Sequence, residues 1–143
     1  MKKASIILSL ILCLFGCHST NRYGIDFSDG KLIEKSDSHG GFHGDGILLE
    51  LWKFDNNIED SLIEYGWSPL PIDENLRKVL NFSFDTEKLE ELLNNKEGYY
   101  YFEDRHCEYV EGEDYTDIIK RYSFNYTFVL YTDQQVVVVE VDS

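Results

Sequence analysis

The C-terminal stretch from Tyr122 to Val141 restricts most strongly what this chain can become. From Tyr122 to Tyr131 bulky and polar residues alternate, with Tyr122, Phe124, Tyr126, Phe128 and Leu130 on one side and Ser123, Asn125 and Thr127 among those on the other. A period of two marks a β-strand, because successive side chains point to opposite faces. Thr132-Asp133-Gln134 supplies turn residues, and Gln135 to Val141 returns as a valine-rich strand, so the segment predicts an antiparallel hairpin. Val136 to Val139 puts four β-branched residues in a row. Such a run needs burial on both faces or a covered edge, since an exposed version would pair with other chains.

Upstream, two further strands follow from the same logic. Ile47 to Phe54 places Ile47, Leu49 and Leu51 on one face, and Tyr99 to Asp104 is a compact aromatic strand. Between them the pattern turns helical. Ile58, Leu62 and Tyr65 recur at helical spacing after Asp55-Asn56-Asn57, which offers capping side chains, and Gly66 stops the helix. Pro69 and Pro71 force extended backbone on Ser68 and Leu70. Asp73 caps a second helix with Leu76, Val79 and Leu80 inward; Asp85 or Thr86 starts a third, Glu87 to Asn94, with Leu89, Leu92 and Leu93 on one side. The expected fold is α+β: an antiparallel sheet of about four strands with two or three short helices packed on one face.

The N-terminus follows different rules. Lys2 and Lys3 precede an apolar run from Ala4 to Phe15, closed by Gly16-Cys17. This is the layout of a secretory signal peptide, and its dozen apolar residues fall short of the roughly 20 that a spanning helix needs. Leu14-Phe15-Gly16-Cys17 resembles the lipobox of bacterial lipoproteins. The resemblance implies that residues 1–16 are removed and that Cys17 becomes the lipid-bearing first residue. The polar stretch that follows, with few apolar residues beyond Tyr23, Ile25, Phe27, Leu32 and Ile33, reads as a tether over residues 17–38 carrying at most a short strand from Tyr23 to Phe27. Residues 39–143 are then expected as one α+β domain.

Charge narrows the partners. Cleavage after Gly16 takes away Lys2 and Lys3 and no acid, so 13 basic residues become 11 against 27 acidic ones and the formal charge moves from -14 to -16. Nucleic acid and anionic lipid surfaces would repel such a chain. Aromatics at 15% set it apart from disordered acidic chains, which are poor in them. After Cys17, Cys107 is the only other cysteine left, so a lipidated chain has no internal disulfide; a Cys17 to Cys107 bridge requires a Cys17 free of lipid.

Beyond the leader, His39-Gly40-Gly41-Phe42-His43-Gly44-Asp45-Gly46, then Trp67-Ser68-Pro69-Leu70-Pro71, then Tyr122-Ser123-Phe124-Asn125-Tyr126-Thr127 before the terminal hairpin, together resemble a group of small bacterial proteins of unassigned function. That likeness spans roughly Ser38 to Asp142. It implies one domain and carries no catalytic residues across.

Within the glycine-rich stretch, His39, His43 and Asp45 are the candidate metal ligands: two imidazoles and a carboxylate match the donor set of a catalytic zinc site with one position open for water. The competing reading is a tight glycine loop entering the first strand, because His-rich metal motifs normally sit on a helix that glycine disfavours. The acidic run from Glu103 to Asp117 lacks calcium-loop spacing and reads as a solvated face able to attract a basic partner. His106-Cys107 has no third group to orient it as a nucleophilic pair, and no hydrolase elbow, phosphate loop or dinucleotide fingerprint occurs. No cofactor is called for. The expected role is that of an exported, lipid-anchored protein of the cell envelope, a non-catalytic binding or accessory module for a protein or envelope component; the alternative is a small metal-dependent hydrolase using His39, His43 and Asp45.

Overall fold

The computed structural model describes residues 21–40, 44–83, 85–94, 97–105, 115–121, 123 and 125–143. The leader, Cys17, His43, His106 and Cys107 lie outside the described residues. Among the described residues, eight strands and four helices follow one another as β1 (Asn21–Arg22), β2 (Ile25–Asp26), β3 (Gly30–Asp37), β4 (Gly46–Phe54), α1 (Glu59–Tyr65), β5 (Ser68–Pro69), α2 (Glu74–Ser83), α3 (Thr86–Leu93), β6 (Tyr99–Asp104), α4 (Tyr115–Ile118), β7 (Tyr126–Thr132) and β8 (Gln135–Asp142). A 3-10 turn, Phe27–Asp29, joins β2 to β3. The chain is α+β, with β1 and β2 as a separate ribbon and a six-stranded antiparallel sheet in the order β3-β4-β8-β7-β6-β5.

The C-terminal hairpin forms the middle of this sheet, and its sequence pattern explains why. Asp133 and Gln134 both adopt left-handed backbone (φ 51 and 61), the two-residue turn whose twist matches paired strands. Thr132 then faces Gln135 and Tyr126 faces Val141. Val136 and Val138 point into one apolar cluster and Val137 and Val139 into another, so the valine run is buried on both faces. All seven residues of β7 are buried as well. The strand begins at Tyr126 rather than Tyr122; Ser123 and Asn125 precede it, and Tyr122 and Phe124 lie outside the described residues.

Three expectations are corrected. The sheet has six strands, not about four: the four expected strands are β4, β6, β7 and β8, and the edges add β3 and the two-residue β5. The helices are not confined to one face. Leu76, Val79 and Leu80 of α2, Leu89 and Leu93 of α3 and Ile118 of α4 pack on Phe128, Leu130 and Val139, while Leu62 of α1 packs on the opposite face with Val129, Val136 and Val138. A sheet with apolar side chains on both faces needs two covers. Third, residues 21–37 of the expected tether belong to the fold. Ile25 and Phe27 are buried in the second cluster, and β3 pairs with β4 along its length. Its polar sequence is that of an edge strand: every residue from Lys31 to Asp37 is exposed, and a bulge between Leu32 and Glu34 with Lys31 and Lys35 alongside discourages further pairing.

The helix ends follow the sequence closely. Asn57 Oδ1 accepts from the Glu59 amide at 2.8 Å, Asp73 Oδ1 from the Asn75 amide at 2.8 Å and Asp85 Oδ1 from the Glu87 amide at 2.8 Å. Gly66 closes α1 in left-handed conformation, its amide donating to the carbonyls of Leu62 and Ile63. The Leu70–Pro71 bond is cis.

Candidate binding cleft

The two ends of the sheet are chemically different. At one end β3 finishes, β4 begins and β8 finishes, and here His39 sits between two carboxylates. Its Nδ1 lies 2.7 Å from Asp37 Oδ1 and its Nε2 2.9 Å from Asp142 Oδ2. Asp142 Oδ1 is 3.1 Å from Arg105 Nη2, which also donates to the carbonyls of Tyr126 and Val141 at 3.3 Å each. The hydrogen bond to Asp37, with the second to Asp142, pushes the imidazole pKa above 6.5, and the His39 amide and ring hold the Asp37 carboxyl below 3.8. His39, the one histidine among the described residues, thus commits both ring nitrogens to Asp37 and Asp142. Asp45 is exposed at the start of β4, and His43 is outside the described residues. No three His, Cys, Asp or Glu side chains gather to hold a metal among the described residues.

The face covered by α1 carries two polar anchors that no sequence pattern announced. Glu50, on β4, is buried, yet it accepts from Arg22 Nη2 at 2.7 Å, Lys35 Nζ at 3.0 Å and Trp52 Nε1 at 3.1 Å. Burial raises its pKa, and the three donors outweigh burial and hold the carboxyl below 4.5. Tyr23 adopts left-handed backbone (φ 58), a costly conformation for a bulky residue. Three contacts fix it: its hydroxyl donates to Glu140 Oε1 at 2.5 Å, Trp67 Nε1 donates to its carbonyl at 2.8 Å, and its ring stands 5.8 Å from that of Tyr101. Burial first, and then the Glu140 carboxylate, raise the Tyr23 pKa. Both anchors tie the N-terminal ribbon and β3 to the sheet.

At the opposite end, around the β7–β8 turn, four separated segments enclose a cleft of about 700 Å³. The start of α1 contributes Asn57 and Glu59, the proline loop Leu70 and Ile72, the end of α3 Leu93, and the hairpin turn Asp133. Gly98 and Tyr99 close one wall. A Cβ on Gly98 would stand 2.0 Å from the Tyr131 carbonyl oxygen, and Gly98 has φ 156, so only glycine lets these strands meet there. The Tyr131 hydroxyl donates to Asn57 Oδ1 at 3.4 Å. Burial pushes its pKa up, the Ile58 amide opposes this, and the Glu59 and Asp133 carboxylates push it up further. Those two acids therefore direct their field at the same wall of the cleft. Glu97 adds a third carboxylate, while the one lining cation among the described residues, Arg77, is already paired with Glu90.

Of the expected site residues, His39 and Asp45 do not line this cleft and stand at the far end of the sheet. The cleft itself escaped the sequence reading because its walls come from residues 57–59, 69–77, 93–94, 97–99 and 131–134, whose meeting is a property of the topology. The only available signals were local: the Asn57 cap, the two prolines and the Asp133 turn. Of the acidic run, Glu103 and Asp104 end β6, with Asp104 paired to Arg121 at 2.6 Å, and Asp117 on α4 pairs with Lys120 at 2.7 Å; residues 106–114 lie outside the described residues.

Comparison of the chain with protein-family profiles, with curated proteins and with solved structures finds no match. Among the described residues, no helix is long and apolar enough to cross a membrane.

Proposed function

We propose that this protein is a lipid-anchored component of a bacterial cell envelope that works as a non-catalytic binding module, with the cleft at the β7–β8 turn as its recognition site. The observation that carries this reading is the cleft: about 700 Å³, within the range of ligand sites, with apolar walls from Leu70, Ile72 and Leu93 and convergent polar groups from Asn57, Glu59 and Asp133. Its chemistry favours holding over reacting. A tyrosine whose pKa is raised by burial and two carboxylates is a poor base at neutral pH, and among the described residues the lining includes no histidine, cysteine or serine. The acidic balance and the resemblance of Leu14 to Cys17 to a lipobox support the envelope location and the anchor on Cys17.

Native mass spectrometry of the protein extracted from membranes in mild detergent tests this reading. The expected spectrum shows a chain that starts at Cys17, carries the mass of acyl chains, holds no stoichiometric metal and retains a co-extracted partner. A zinc-loaded chain whose metal is lost on His39→Ala or His43→Ala would replace the binding reading with the hydrolase.

A further inference from the structure

We infer that the cleft recognises an alkylammonium or guanidinium group on an apolar stem, namely a lysine or arginine side chain presented by a partner protein. The inference rests on the binding-module reading and names the chemistry of its ligand. Three independent features meet in it.

The first is charge. Glu59, Glu97 and Asp133 line the cleft, and no ion pair engages them among the described residues. Arg77, the one lining cation among the described residues, gives its guanidinium to Glu90. Among the described residues an anionic ligand would meet three carboxylates and no unpaired lining cation, whereas a cation would meet three counter-charges, two of them, Glu97 and Asp133, on the exposed rim. The second is shape. A volume of about 700 Å³ is far more than a single ion needs, and Leu70, Ile72 and Leu93 are among the residues that line it. A chain of several methylenes ending in a charge buries its stem on such walls and leaves its head among the acids. The third is the aromatic wall. Tyr99 and Tyr131 flank the space, and Tyr131 is held by Asn57 with its hydroxyl in the field of Glu59 and Asp133. Aromatic lining residues beside carboxylates are suited to a cationic head.

The test is a titration of the full chain in detergent, followed by amide NMR, with capped Ala-Lys-Ala, capped Ala-norleucine-Ala and 1,5-diaminopentane. The lysine peptide is expected to bind about tenfold tighter than the norleucine peptide, with shifts centred on Gly98, Tyr131 and Asp133. The advantage should vanish in the isosteric double variant Glu59→Gln/Asp133→Asn and shrink as salt rises from about 50 to about 500 mM. Equal affinity for the two peptides, an unchanged lysine preference in the double variant, or shifts centred on His39 would each overturn the inference. Tighter binding of the diamine than of the capped peptide would overturn a protein side chain as the source of the cation. A partner that crosslinks at the cleft rim although the lysine peptide shows no preference would overturn the cation specificity alone; a cleft that touches no partner would overturn the module reading itself.

Discussion

Replacing Glu50 by glutamine removes one charge and almost no volume, and it tests whether the N-terminal segment is an integral part of the fold. The Glu50 side chain is 5% exposed and joins Arg22 of β1 and Lys35 of β3, so it links both halves of residues 21–37 to β4. A hydrogen bond to a charged partner contributes about 1.5–3 kcal/mol, and a buried ion whose partner is removed costs more. Here the orphaned partners regain water, because Arg22 is 35% and Lys35 48% exposed. The loss should therefore stay near the lower end, about 2 kcal/mol, or about 8 °C in Tm for a domain of this size. The pH dependence identifies the cause. Glu50 is held below 4.5 in the folded state, so its contribution is fully present above pH 4.5 and is lost as pH falls through the folded value. The gap between wild type and Glu50→Gln, read by urea denaturation, should be constant from pH 8 to about pH 5 and close on further acidification. Hydrogen exchange of the β1–β2 ribbon and β3 should quicken in the variant before that of β7 and β8. A variant as stable as wild type at pH 7, or a gap that persists unchanged to about pH 3, would refute this reasoning.

Three other outcomes follow from the same structure. Leu76→Ala, at a fully buried position of α2, should cost about 3 kcal/mol in chemical denaturation; a loss under about 1 kcal/mol would mean that α2 does not seal that face. Gly98→Ala would push a methyl into the Tyr131 carbonyl and should destabilise by at least about 2 kcal/mol, whereas a neutral result would show that the wall of the cleft yields. His39, with a folded pKa above 6.5, contributes stability that is fully present below about pH 6.5 and is lost as pH rises through the folded value. Its partner Asp37, held below 3.8, contributes above that pH and loses its effect as pH falls through its folded value. An NMR titration of the His39 ring should give a midpoint above 6.5; a midpoint at or below 6.5 would contradict the two-carboxylate geometry.

Much of this architecture was legible because it rests on local periodicity. The β7–β8 hairpin, β4 and β6, the inward faces of α2 and α3, and the caps at Asn57, Asp73 and Asp85 all follow from spacing and cap chemistry. Residues 21–37 misled for a physical reason. An edge strand exposed on both sides loses the apolar alternation that distinguishes strand from tether, and β3 shows only Leu32 and Ile33 as large apolar residues, both exposed. The valine run told that both faces are buried, yet it could not tell what covers the second; α1, Ile25 and Phe27 do so through contacts distant in sequence. The cleft was illegible for the same reason. The pairing of His39 with Asp142 joins residues 103 positions apart, and no spacing rule reaches that far.

Function turns on whether the cleft meets a partner in the envelope, and site-specific photocrosslinking in living cells reads this directly. A photoreactive residue at Gln134, exposed on the cleft rim, is compared with one at Ser36, exposed on β3 near the opposite end of the sheet. The account predicts a discrete adduct from position 134 that is absent from position 36 and fades when Glu59→Gln/Asp133→Asn is added. No adduct at 134, or one that forms equally well at 36 and ignores the cleft acids, would contradict it.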